Sequence, residues 1–88
     1  MSSEPAPLIL LSDADNVAVA RHEIPAGMAL AAGGADVASR GVIPSGHKVA
    51  LRAIAPGEVV RKYGQVIGLA TQAIAAGEHV HVHNLGMG

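Results

Sequence analysis

The chain has no cysteine, no phenylalanine and no tryptophan, and Tyr63 is its one aromatic residue. Lack of cysteine excludes disulfides and thiolate metal ligands, and it fits a reducing cytoplasm. Lack of large rings means that a core must be built from Ala, Val, Ile and Leu. Such side chains bury little area each, at ~25 cal/mol per Å². Charge of one sign is scarce as well. A formal net charge of −1, with no basic stripe, argues against a dedicated nucleic-acid binder. No apolar run approaches the ~20 residues of a membrane span. The start, Met1-Ser2-Ser3-Glu4-Pro5, lacks the basic segment of a signal peptide. Helical periodicity is missing from every stretch of useful length.

What remains is a chain of 88 residues, enough for one domain with a small core. A core this thin is expected to draw on a partner chain or a second copy of itself. Residues Met1 to Pro7 read as a tail, because Pro5 and Pro7 discourage regular structure. Residues 8–85 read as the domain and 86–88 as a loose end. Strands are expected at Leu8 to Leu11, Asn16 to Arg21, His47 to Ala53, Glu58 to Tyr63 and Val66 to Thr71. The stretch Ala31-Ala32-Gly33-Gly34-Ala35-Asp36 reads as a flexible loop, and Ala35 to Arg40 as a brief helical turn.

Four similar turns punctuate these strands: Ile24-Pro25-Ala26-Gly27, Ile43-Pro44-Ser45-Gly46, Ile54-Ala55-Pro56-Gly57 and Ile74-Ala75-Ala76-Gly77. In each, an isoleucine plugs the core and a glycine ends the turn. Their spacings of 19, 11 and 20 residues exclude a solenoid. The pattern predicts an all-β domain, barrel-like or clip-like, with short strands and tight Ile-x-x-Gly turns.

Three of the five histidines alternate in Gly77-Glu78-His79-Val80-His81-Val82-His83-Asn84-Leu85. In an extended strand His79, His81 and His83 share one face, and Val80 and Val82 share the other, packed on the core. A His-x-His pair can hold a divalent ion. An exposed polar strand face or a subunit contact explains the same spacing. Asp15-Asn16 reads as an Asx-type turn. His47-Lys48 follows a glycine turn, with His47 on the Val49 face and Lys48 on the opposite one. Lys62 can bind a carboxylate, and Tyr63 can donate a hydrogen bond, relay a proton or cover the core. No nucleophile–base pair, phosphate-cradling glycine loop or paired carboxylates stand out.

Taken together, several motifs are more specific. Asp15-Asn16-Val17, Gly46-His47-Lys48-Val49-Ala50-Leu51, Gly57-Glu58, Lys62-Tyr63-Gly64, Ile67-Gly68, Ala70-Thr71 and Gly77 to Leu85 occur in an order that resembles the small SAF-type domain of the altronate/galactarate dehydratase family. The resemblance implies a β-clip fold. It implies the small subunit of a metal-dependent hydro-lyase that turns an aldonate or aldarate, such as altronate, into a 2-keto-3-deoxy acid. A large catalytic subunit would supply most of the machinery, and the small chain alone would be inactive. The sulfolactate sulfo-lyase small subunit and a non-catalytic SAF binding module are the alternatives. On this reading His47, Lys48, Lys62 and Tyr63 are the candidate catalytic groups. Asn84, Asp15 and Asn16 are candidates for substrate binding, and His81 and His83 for a metal shared with the partner chain. The expected cofactor is a divalent metal, Fe2+ first with Mn2+ or Mg2+ as alternatives, held mainly by the large subunit. The other expected partners are the sugar acid and a possible second copy of the chain, with no nucleic acid, no membrane and a cytoplasmic location.

Overall fold

Four isoleucines fix the course of the chain. The backbones of Ile24 and Ile43 bond each other in both directions at 2.9 Å, and those of Ile54 and Ile74 do so at 2.8 and 2.9 Å. All four side chains are at most 2% exposed. The expected turns follow each of them, with Gly27, Gly46, Gly57 and Gly77 at φ of 80°, 82°, 81° and 86°. This geometry comes from a computed structural model that describes residues 6–10 and 12–87. Met1 to Pro5 of the expected tail, Leu11 of the first expected strand and Gly88 lie outside the described residues.

Every regular element among the described residues is a strand: β1 (Leu8–Ile9), β2 (Val17–Ala20), β3 (Ala29–Ala32), β4 (Ala35–Ala38), β5 (Lys48–Ala50), β6 (Val59–Lys62), β7 (Gln65–Ala70), β8 (His79–Val80) and β9 (Leu85–Gly86). All pairings are antiparallel. A central sheet runs β1-β2-β5-β8, flanked by a β3-β4 hairpin and a β6-β7-β9 sheet. The molecule is thus a small all-β domain of short antiparallel strands, as the turn pattern predicts. No helix long and apolar enough to cross a membrane occurs among the described residues.

The central sheet divides the core in two. Its alternating side chains send Ala18, Ala20, Val49 and Leu51 into one cluster, with Ile24, Ile43 and Leu30. They send Val17, Ala50 and Val80 into the other, with Ile54, Ile74 and Val60. Two small aliphatic lobes therefore replace one aromatic core. Each lobe is an isoleucine turn, a hairpin and a second isoleucine turn. The two copies are offset by 30 residues at Ile24 and Ile54, by 30 at Gly34 and Gly64, and by 31 at Ile43 and Ile74. The spacings of 19, 11 and 20 are the trace of this internal duplication.

Three expectations are corrected. The stretch Ala31 to Asp36 is no flexible loop, and Ala35 to Arg40 makes no helical turn. It is the β3-β4 hairpin, whose Gly33 and Gly34 both have positive φ, at 57° and 83°. Two such residues make the tight turn that matches strand twist. Tyr63 does not cover the core. It stands with Gly64 in the equivalent turn, at φ 58°, with 47% of its surface exposed. The C-terminal end is tied down as far as Gly86, which pairs with Leu69 in β9.

Gly77 tests this architecture sharply. Its φ of 86° is left-handed, and an added Cβ would overlap the carbonyl oxygen of Ala38, whereas a Cβ on Gly27 meets nothing. Gly27→Ala is expected to cost about 1–2 kcal/mol from backbone strain alone. Gly77→Ala should cost clearly more, because the Ala38 strand must also move. Urea unfolding of the two variants checks this, and equal losses would contradict the packing described.

Candidate functional site

The register of β5 and β8 builds the site. Lys48 faces Val80 and Val49 faces His79, so the next position out brings His47 opposite His81. Side chains of His47, Val49, His79 and His81 therefore share one face of the sheet. At its rim three imidazoles meet. The rings of His47 and His81 stack at 4.0 Å between centroids, those of His47 and His79 at 5.0 Å, and those of His79 and His81 at 5.6 Å. His47 Nδ1 and His79 Nε2 share a hydrogen bond of 2.8 Å. Each residue offers one ring nitrogen, and the three nitrogens lie within 4.8 Å of one another.

The expected five-residue histidine strand stops early. β8 ends at Val80, and His81 to Asn84 form a turn. Val82 is consequently 82% exposed and does not pack on the core. Two causes are visible. β5 has no residue left to pair beyond Lys48, because the next amide in line, that of Gly46, already bonds Ala20 O at 2.8 Å. The Asn84 side chain then takes over. Its Oδ1 accepts from the His81 amide at 2.9 Å, and its Nδ2 donates to His79 O at 2.9 Å and to Glu78 Oε2 at 3.3 Å. Asn84 is completely buried, and its own carbonyl accepts from the Thr71 amide at 3.0 Å. It locks the backbone that carries His79 and His81. His83 is exposed on this turn, tilted beside His79 with centroids 5.3 Å apart.

The other candidate residues fall elsewhere. Lys48 lies on the opposite face of β5, in register with Val19 and Val80. Burial first, and then the charge of Lys62, lower its pKa from the usual lysine value. Lys62 Nζ sits 4.8 Å from the centre of the Tyr63 ring, a cation–π contact. Asp15 accepts from the amides of Tyr63 and Gly64 at 2.8 and 2.7 Å, and so holds the hairpin turn. Asn16, 3% exposed, clamps β6. Its Nδ2 donates to Val59 O at 2.9 Å, and its Oδ1 accepts from the Arg61 amide at 2.8 Å. That clamp lies on the edge of β6 away from β7, and it satisfies backbone groups that an edge strand leaves without a neighbour.

The electrostatics favour the neutral forms of His79 and His81. Burial pushes the His79 ring below its ordinary value, and the positive forms of His47, His83 and His81 and the Lys48 ammonium add to this. His81 is lowered by burial, then by His47, Lys48 and His83. Its Nδ1 is buried without a hydrogen-bond partner among the described residues. Ring nitrogens that face one another in this way can take up a cation when they carry no proton. Strand spacing alone pairs His81 with His83. The meeting of His47 with His79 and His81 needs the knowledge that the turns at Gly46 and Gly77 start neighbouring strands.

Residues 6–88 match the family described as the altronate/galactarate dehydratase SAF domain. Altronate dehydratase of Bacillus subtilis (strain 168) is 44% identical over 70 residues, which is 80% of this chain and 14% of that protein. Altronate dehydratase of Escherichia coli (strain K12) is 47% identical over 70 residues, with the same two shares. The (2R)-sulfolactate sulfo-lyase subunit alpha of Chromohalobacter salexigens is 56% identical over 43 residues, 49% of this chain and 46% of that one. The chain thus spans a small part of the dehydratases and under half of the sulfo-lyase subunit.

The lowered imidazoles give a signed pH dependence. Both rings are neutral in the folded and unfolded states above the ordinary value of 6.5, where their contribution to stability is complete. Below 6.5 the unfolded chain takes protons first, so stability is lost as pH falls through the folded-state midpoints. NMR titration should place the His79 and His81 midpoints below 6.5. Acid unfolding should be less steep in the His79→Gln, His81→Gln double variant. Midpoints at or above 6.5 would contradict the site's electrostatics.

Proposed function

Because the chain belongs to the altronate/galactarate dehydratase SAF domain family, we propose that it is the small component of a sugar-acid dehydratase. It would work with a large catalytic portion on an aldonate or aldarate such as altronate. The observation that carries this reading is the convergence of His47, His79 and His81 at the sheet rim of a domain with that family's pattern. Elimination breaks the C–H bond beside the carboxylate and the neighbouring C–O bond. The proton goes to a base, the hydroxyl leaves as water once protonated, and the enol relaxes to the 2-keto-3-deoxy acid. A neutral imidazole that does not ligate the ion can take the proton, and the imidazolium so formed can give it to the departing hydroxyl. The ammonium groups of Lys48 and Lys62 suit an anionic group on the other side of β5, not the acid that meets the imidazoles. Asn84 positions the histidine turn, and Asp15 and Asn16 position the Tyr63 hairpin.

A divalent metal, when bound, would polarise the substrate's carboxylate and hydroxyl. The residues fit such an ion, since the unpartnered Nδ1 of His81 lies in a cluster made only of neutral nitrogen donors. Fe2+ or Mn2+ suits this reading, shared with ligands of the large portion. A second reading is a sulfolactate sulfo-lyase small subunit, in which sulfite leaves in place of water. The 56% identity to a sulfo-lyase subunit alpha, the highest among the relatives named above, favours it over the short aligned stretch.

Co-expression with a large dehydratase subunit, followed by keto-acid assays on altronate, galactarate and sulfolactate, tests both. The expected result is a complex that turns over one of the first two, with no activity from this chain alone. The His47→Ala, His81→Ala double variant should assemble but lose more than about 10-fold in turnover. Sulfite release from sulfolactate would establish the second reading. Turnover by the isolated chain, or full activity of the double variant, would overturn the proposal.

A further inference from the structure

We propose that His47, His79 and His81 are a three-nitrogen site for a transition-metal dication, and that this chain binds the ion by itself. The inference deepens the reading above by naming the ligand set and the class of ion.

The argument starts from distance. Metal–imidazole bonds of ~2.0–2.1 Å put neighbouring ligand nitrogens about 3 Å apart around one ion. His47 Nδ1 and His79 Nε2 already stand 2.8 Å apart. The third nitrogen lies within 4.8 Å of both, so modest ring rotation closes the set. All three rings are half-buried, and ring rotation does not disturb the backbone that Asn84 holds.

The chemistry of the pair agrees with the distance. In the His47–His79 hydrogen bond one ring nitrogen carries a proton and the other accepts it. For both to ligate, the donor ring moves its single proton to its other nitrogen, through water. Each ring stays neutral, each keeps one N–H, and no net charge is lost. The two nitrogens that shared that hydrogen bond are both used, because the ion takes its place. It also supplies the partner that the buried Nδ1 of His81 lacks, should that be the atom turned inward.

The donor set selects the ion. Three neutral imidazoles and no carboxylate suit Fe2+, Co2+, Ni2+, Cu2+ or Zn2+, whereas Mg2+ and Ca2+ prefer oxygen. This disfavours Mg2+ at this cluster. Three ligands also leave coordination positions open, as sites that act on a substrate do. The open side would receive oxygen donors, from a hydroxy-acid or from another part of the enzyme. His83 is placed apart from this set, exposed on the turn beside His79.

The test uses the full 88-residue chain and needs no turnover. Co2+ and Zn2+ titrations should each give one bound ion per chain. Mg2+ should bind at least about 100-fold more weakly, as oxygen-preferring ions do at nitrogen sites. Imidazole nitrogen NMR should show Zn2+ shifting His47, His79 and His81 and leaving His22 in place. His47→Ala, His79→Ala and His81→Ala should each weaken Co2+ binding at least about 10-fold, and His22→Ala should not. The NMR shifts on the unaltered chain decide the matter even if a variant fails to fold. No binding at millimolar Co2+ or Zn2+, or ions that shift His22 or His83 and spare the trio, would overturn the site. An assembled enzyme that dehydrates its acid while this chain binds no ion would sink the site and spare the function. A chain that binds Zn2+ but serves no sugar acid or sulfolactate would do the reverse.

Discussion

The reciprocal backbone bonds between buried isoleucines, Ile24 with Ile43 and Ile54 with Ile74, are the constraint on which the other elements depend. A chain without phenylalanine or tryptophan cannot fill a broad interior. It solves the problem by pinching itself twice. Each pinch brings two turns together, closes a lobe of small aliphatics, and fixes where the next strand begins. The lobes then share the central sheet, whose two faces serve one lobe each. Short strands suffice because few residues separate one pinch from the next.

That scaffold gives the histidines their geometry. Imidazoles 32 residues apart, His47 and His79, reach hydrogen-bonding distance because the turns at Gly46 and Gly77 deliver β5 and β8 side by side. A buried asparagine completes the arrangement by taking over the backbone groups that the ended strand would leave bare. Polar residues buried in this chain thus hold backbone in place: Asn84 at the histidine turn and Asn16 at the β6 edge.

Much of this was legible in the sequence, and the reasons differ by element. The four Ile-x-x-Gly turns were readable because glycine and isoleucine do local jobs there. The all-β class followed from them. The β3-β4 hairpin was not readable as such, because an alanine-rich stretch carries no alternation and its Gly33-Gly34 pair looks like slack. At the site, the shared face of His79 and His81 follows from strand alternation, but the end of β8 at Val80 depends on how far β5 extends. The third imidazole, His47, is a long-range fact set by register. The tasks of Asp15 and Asn16 depend on backbone groups 43 to 49 residues away, which no local pattern encodes.

The register of β5 also bears on how such a chain can change over evolutionary time. Because His47 and Lys48 occupy opposite faces, a one-residue insertion between Lys48 and Val49 would exchange their sides, if the core valine kept its place. An ammonium would then point into the imidazole cluster and repel any cation that approached it. Point substitutions can tune this corner gradually, but changes of length cannot. Variation in chain length should therefore gather at outward hairpin tips such as Gly33-Gly34, and the few residues from Gly46 to Val49 should keep their number.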